Sequence, residues 1–273
     1  MIHGPSGGGK TFVALDLCLR IASGTPLWLD TYKVKPGAVV YLAGEGHQGL
    51  RARVAAWKAH NNKYPEESEG IKYSPLQMWM SRDGCDLNTP EGYRRVVENI
   101  RALPTPPTII AVDTLHRFLK GDESSASDTK TMLDACGALI HEFNCTVLLV
   151  HHTGVSEEAQ HRARGSSAWR AALDIEISVI PAKDDTPMQI VQRKSKDAEL
   201  APTQTVELQQ VTIPGWIDED GEPVTSAVVV KSDKPPQPSK EENKLNKHRH
   251  LLDRKSTRLN SSHIPLSRMP SSA

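Results

Sequence analysis

This chain of 273 residues is poor in aromatic side chains, which make up 5% of it. Nothing in it resembles the aromatic-studded OB platform on which single-stranded bases stack. Net charge is also missing: Lys plus Arg and Asp plus Glu both number 33. That balance excludes a general electrostatic attraction to nucleic acid, so any such partner needs a local patch. Cysteine is sparse and unpaired. Cys18, Cys85, Cys136 and Cys145 form no CxxC motif, which excludes a primase-type zinc site. Three of them fall in apolar helix or strand patterns, as reduced core residues of a cytoplasmic protein do. No apolar run approaches the length of a membrane span, so no membrane partner is expected. The first residues are no signal peptide, because a different motif occupies them. The length allows one or two domains and a sizeable core.

What is present is a phosphate-binding motif at the start. Gly4-Pro5-Ser6-Gly7-Gly8-Gly9-Lys10-Thr11 fits G-x-x-x-x-G-K-[ST], the P-loop. Residues without Cβ let the backbone curl and turn its N–H groups toward phosphate oxygens. The apolar positions Phe12, Val13, Leu15, Leu17, Leu19 and Ile21 then predict a buried helix whose N-terminus faces the phosphates. Lys10 supplies a point charge to the β- and γ-phosphates, and the Thr11 hydroxyl is a ligand for Mg²⁺. No base-reading motif accompanies the loop; ATP is the nucleotide expected. A P-loop normally follows a buried strand, yet only Met1-Ile2-His3 precede this one. The first strand is therefore expected to be cut short or missing.

The first helix is predicted to end near Ser23-Gly24, with Gly as C-cap. Ala38-Val39-Val40-Tyr41-Leu42-Ala43 reads as a central parallel strand that runs into Gly44-Glu45-Gly46. Ligands in open α/β sheets bind at the carboxyl ends of strands. Glu45 is thus a carboxylate delivered to the site, the alternative being a solvated loop glutamate. Residues 48–60 predict a helix, 61–75 a loop and 76–80 a strand. Thr89-Pro90-Glu91 opens a further helix running to about Leu103.

Thr108 to Val112 is the next apolar strand, and it ends on Asp113 in Walker B form, where the acid orders the Mg²⁺ shell beside Thr11. The following residue is Thr114. Many P-loop ATPases carry their water-activating Glu at that position, so Glu45 is the best remaining general base. Residues 128–143 predict an amphipathic helix and 145–150 a strand ending at His151-His152-Thr153. A His or Thr there either meets the γ-phosphate or serves as a hydrogen-bonder within the sheet.

Residues 154–161 are polar and expected to be mobile. After Arg162-Ala163-Arg164-Gly165-Ser166-Ser167 comes a short helical run to Leu173. Strands are predicted at 174–180, 188–193, 205–213 and 227–230. The shift from alternating strand and helix to consecutive strands implies an antiparallel extension of the sheet. Arg193, Lys194 and Lys196 cluster between two of these strands, as a solvated hairpin edge would. The ATPase domain is expected over 1–231, with a polar and basic linker at 232–253. Residues 254–273 resemble a translated sequencing-adapter tail and are given no fold.

In order, the chain offers a P-loop, a strand ending in Gly-Glu-Gly, one ending in Val-Asp-Thr, one ending in His-His-Thr, then Arg-Gly-Ser-Ser. This set resembles the RecA-like ATPases of the plasmid RepA helicase type, often called AAA-domain ATPases in phages and plasmids. The resemblance covers residues 1 to about 200. It implies an α/β fold with a mainly parallel sheet flanked by helices. It also implies ATP and Mg²⁺ as cofactors, Glu45 as the residue that activates water, Asp113 as metal support and His152 in the phosphate-sensing position. Such proteins form homo-oligomeric rings, commonly hexamers, in which a neighbour's arginine completes each site, and they act on single-stranded DNA in replication. The plasmid helicase finger lies several residues after Arg-Gly-Ser-Ser, where this chain has Asp174. Arg164, Arg170, or one of Arg193, Lys194 and Lys196 would take its place. A recombination mediator, a regulatory ATPase of the KaiC kind, and an ATP-gated scaffold without hydrolysis are the alternatives.

Glu45 gives this reading its test. A positioned general base contributes roughly 10²–10⁴-fold to rate. Glu45→Gln should lower ATP turnover by about that factor and leave ATP affinity nearly unchanged, since the loop amides, Lys10 and Thr11 carry binding. Phosphate release and an equilibrium ATP titration measure the two quantities.

Overall fold

The apolar runs become the middle of one nine-stranded sheet. The computed structural model describes residues 1–44, 46–61, 76–81, 83–153, 165 and 167–236, without the side chain of Gln48. Glu45, Arg164, most of the 61–75 loop, the 154–161 segment and nearly all of the expected linker and tail lie outside that set. Met1–Pro235 is the unit that carries every element below.

A strand does precede the P-loop, so the first strand is not missing. It is β1, Ile2–Gly4, and its three residues are buried. α1 (Lys10–Ser23) follows, and Gly24 caps it in the left-handed conformation. A small hairpin comes next, β2 (Leu27–Trp28) and β3 (Tyr32–Lys33). The sequence pattern gave no sign of it, because two-residue strands show no periodicity and its turn uses Leu29 and Asp30 at positive φ rather than glycine. β4 (Ala38–Ala43) is buried throughout. Then follow α2 (His47–His60), β5 (Met78–Met80) and α3 (Pro90–Arg101), whose N-cap Thr89 accepts from the Gly92 amide. β6 (Pro107–Asp113), α4 (Ala126–Phe143), β7 (Thr146–His152) and the short α5 (Ser167–Ala172) lead to four consecutive strands. These are β8 (Ile175–Ile180), β9 (Met188–Ser195), β10 (Gln204–Ile217) and β11 (Pro223–Lys231).

The strand order is β11-β10-β9-β8-β1-β7-β6-β4-β5. From β5 to β8 every neighbouring pair is parallel, and β9 to β11 extend the sheet antiparallel. The chain leaves β1 through α1 and returns three positions away, at β4. β7 and β6 later fill the gap, and β8 crosses to the other side of β1. Side chains alternate between two cores, as strand geometry requires. Val39, Tyr41 and Ala43 pack with α1 and α2, while Val40 and Leu42 pack with α3 and α4. Cys18, Cys136 and Cys145 are buried and all four cysteines are free. Burial pushes the Cys136 thiol up to about 12 and that of Cys145 to about 11. Among the described residues no helix is long and apolar enough to cross a membrane.

One buried acid ties α1, α2 and the hairpin together. Asp16 is 3% exposed and accepts from Trp57 Nε1 at 2.7 Å and Trp28 Nε1 at 3.0 Å, with Arg20 Nε 3.6 Å away. Burial raises the pKa of its carboxyl, against the pull of Arg20 and the two indoles. Asp16→Ala would strand two buried N–H donors and one cation. The expected loss of unfolding free energy is about 3 kcal/mol, measured by urea denaturation, with Asp16→Asn retaining part of it.

Candidate nucleotide-binding site

The parallel register brings the ends of four strands to one edge of the sheet. Ala43 lies opposite Asp113, Asp113 opposite Val150, and Gly4 opposite His152. The P-loop, Asp113 and His152 are thereby delivered to one edge of the sheet. The loop 4–11 turns back over that edge. Gly9 has φ +88°, and a Cβ there would stand 2.6 Å from Met188 Sδ. At Gly4 a Cβ would meet the Val179 carbonyl oxygen at 2.5 Å. A larger residue at Gly4 would collide with backbone, and one at Gly9 would be strained by the left-handed conformation.

Gly9 is also the N-cap of α1 and offers no side-chain hydrogen bond, and the first turn contains no acid. The amides and positive end of the helix dipole are therefore left for an anion. Lys10 is 5% exposed. Its Nζ donates to the Pro5 carbonyl at 2.8 Å and lies 3.2 Å from His152 Nδ1. These contacts hold the ammonium at the mouth of the loop, where phosphate oxygens would bind.

Asp113 is 5% exposed and accepts from Tyr41 Oη at 2.5 Å and from the Thr11 hydroxyl. Burial raises the pKa of its carboxyl, opposed by these hydrogen bonds and by the charges of Lys10 and Arg53. Thr11 and Asp113 present hard oxygen donors side by side. That donor set fits Mg²⁺, which takes one or two protein oxygens and completes its shell with water and phosphate.

Two contributors escaped the sequence pattern. Tyr41 counted only as an apolar strand residue, although a buried tyrosine hydroxyl must find a partner. Arg53 lies on α2, its guanidinium carbon 4.3 Å from the centre of the Phe12 ring. It lines the same pocket as Ser6, Lys10, Thr11, Thr114 and His152. A helix that starts at a strand's carboxyl end points its first two turns at the site, and that was the available signal.

A family profile described as an AAA domain matches residues 1–158, more than half of the chain. The chain belongs to this AAA domain family. Two solved structures are similar to the chain, each at 12% sequence identity. One is a KaiC-like protein from the hyperthermophilic archaeon Pyrococcus horikoshii, with a TM-score of 0.50 over 76% of this chain and 84% of that one. The other is the RadB recombinase, with a TM-score of 0.48 over 76% of this chain and 86% of that one. The AAA domain is thus a P-loop ATPase fold of RecA-like architecture, with the antiparallel extension that the consecutive strands implied.

The remaining candidates of this AAA domain are dispersed. Glu45 and Arg164 lie outside the described residues, though Gly44 beside Glu45 is fixed. Its amide donates to the Asp113 carbonyl at 2.7 Å, and its carbonyl accepts from Arg117 Nε at 3.2 Å. His151 is fully buried on the opposite face of β7 from His152, with Nε2 3.8 Å from Glu123 Oε2 and its ring beside Trp169. Arg170, on α5, does not line the loop pocket of its own chain. Its Nε lies 3.2 Å from Glu176 Oε2. Lys194 Nζ donates to the carbonyls of Arg170 and Ala171, and Lys196 Nζ to that of Ala172 and to Asp174. The expected solvated edge is thus bound to the end of α5. A second pocket, of about 470 Å³, shares Gly7, Gly8 and Gly9 with the first and continues under the β8–β9 turn, between Pro181, Met188, Val206 and Leu208.

Arg53→Met keeps an apolar stem over Phe12 and removes the charge. Loss of a hydrogen bond to a charged group costs roughly 1.5–3 kcal/mol. Affinity for a nucleoside triphosphate should fall about tenfold or more with the melting temperature unchanged, read by titration and thermal unfolding.

Proposed function

We propose that this AAA domain binds ATP with Mg²⁺ and hydrolyses it as a ring-forming motor or loader on DNA, in the manner of the RepA-type helicases. The observation that carries the nucleotide part is Lys10, held across the mouth of the loop by Pro5 and His152 above the paired Thr11 and Asp113. The DNA and ring parts are supported by the ordered motif set and rest on that likeness.

In this reading the loop amides and the start of α1 receive the β- and γ-phosphates, and Lys10 exchanges the Pro5 carbonyl for them. Thr11 would hold Mg²⁺, with Asp113 oriented by Tyr41 to order the surrounding water. The ion, when bound, neutralises charge that builds on the leaving oxygens. Glu45 takes a proton from the attacking water. His152, in contact with Lys10, registers whether the γ-phosphate is present. Arg53 adds a second cation to the same pocket. The nucleoside half enters the groove under the β8–β9 turn, whose apolar wall suits a base. A neighbouring subunit supplies the last cation.

Lys10→Ala removes the motif's own cation and should reduce ATP-dependent phosphate release to background. Turnover like the wild type's would remove the loop from the mechanism. Strand separation on a forked duplex, with and without ATP, tests the motor role; hydrolysis without separation would leave an ATPase that is not a helicase.

A further inference from the structure

Glu176 on β8 is 1% exposed, and the residues facing it come from β1, β9 and α5. His3 Nε2 stands 3.2 Å from its Oε1, and Arg170 Nε stands 3.2 Å from its Oε2. Burial, with the surrounding positive charges, lowers His3 to about 3, so at neutral pH it brings no charge to this carboxylate. β9 carries one extra residue here: Glu176 pairs with Lys194 and Ile177 with Gln192, so Arg193 is bulged between them. Arg193 is half-buried, its Nε has no hydrogen-bond partner, and the charge of Glu176 acts on it.

A buried carboxylate is costly unless paired, and an apolar residue at this place would serve the fold as well or better. The partner that touches it, Arg170, has a side chain 62% exposed. Its Nε stands against this carboxylate as an ion pair, and the rest of a planar, permanently charged fork is presented at the surface. α5 has only six residues and could not hold such a group still by itself. It is fastened on several sides. Trp169 is 1% exposed and donates to the Glu123 carbonyl at 3.1 Å. Lys194 reaches the carbonyls of Arg170 and Ala171 at 2.6 and 3.3 Å, and Lys196 that of Ala172 at 3.4 Å. Lysines at a helix end satisfy its orphan carbonyls and complement its dipole.

We propose that Glu176 is a positioning residue: from within β8 it aims Arg170 outward, so that the guanidinium meets the terminal phosphate of the nucleotide held by a second copy of this chain. The inference rests on the ATPase reading above. A phosphate anion matches the fork of the guanidinium. Arg170 does not line the P-loop pocket of its own chain, and in the ring reading above a neighbouring subunit supplies the last cation.

The test uses mixtures of full-length variants, each first checked for melting temperature and nucleotide binding. Arg170→Ala keeps a loop that binds nucleotide but lacks the guanidinium. Lys10→Ala cannot hydrolyse ATP but carries Arg170. An equimolar mixture should release phosphate well above the sum of its components. Adding Glu176→Gln to the Lys10→Ala donor should cut that recovery about tenfold or more. Adding it to the Arg170→Ala acceptor should change nothing. A folding defect would weaken both sides, so the donor-only loss marks positioning. If Glu176→Gln melts early, Glu176→Asp replaces it; the charge stays buried, the reach is one methylene short, and the same donor-only loss is expected. Full recovery with the Glu176 donor variant, or equal loss from either side, overturns the role of Glu176. No recovery in the plain mixture, with an active wild type, overturns the placement of Arg170 in trans. A wild type that releases no phosphate from ATP overturns the ATPase reading itself.

Discussion

The constraint on which the site depends is the parallel register of β1, β4, β6 and β7. Because hydrogen bonding aligns Ala43 with Asp113, Asp113 with Val150, and Gly4 with His152, four chain segments reach one edge of the sheet. A slip of one residue in any of these strands would exchange its two faces. Tyr41 would leave the Asp113 carboxylate, and His152 would trade places with His151. The contacts of Lys10 and of Asp113 therefore follow from backbone pairing as much as from the motif residues themselves.

Three buried carboxylates show how surroundings divide one functional group among different tasks. Asp16 meets two indole N–H groups and Arg20, and holds α1, α2 and the hairpin together. Asp113 meets two hydroxyls, one on α1 and one on β4, beside the loop that cradles phosphate. Glu176 meets a neutral histidine inside and an exposed arginine outside. Burial raises the carboxyl pKa of both aspartates, and in each the hydrogen bonds to the ionised form oppose the shift.

Much of the architecture was legible. Apolar runs located β4, β6, β7 and β8 to within a residue or two, and Thr89-Pro90 and Gly24 marked helix ends. Such signals are local: each depends on the residues of a single element. The hairpin at Leu27–Lys33 was not legible, since its strands are two residues long and the partner of the Trp28 indole, Asp16, lies on another element. Arg53 carried no signal of its own within the helix predicted at 48–60. Lys194 and Lys196 read as a charged edge until α5 was seen to end beneath them.

By itself the sequence determined the phosphate loop, the acid that closes β6 and the change from parallel to antiparallel strands. Those depend on residue type at fixed spacing along the chain. The tertiary structure alone decided which side chains face one another across it: Tyr41 and Thr11 on Asp113, His152 on Lys10, Arg53 over Phe12, Glu176 behind Arg170. These pairs join residues far apart in the chain. They meet because the crossover from β1 to β4 leaves a gap that β6 and β7 later fill, and no local pattern encodes that placement.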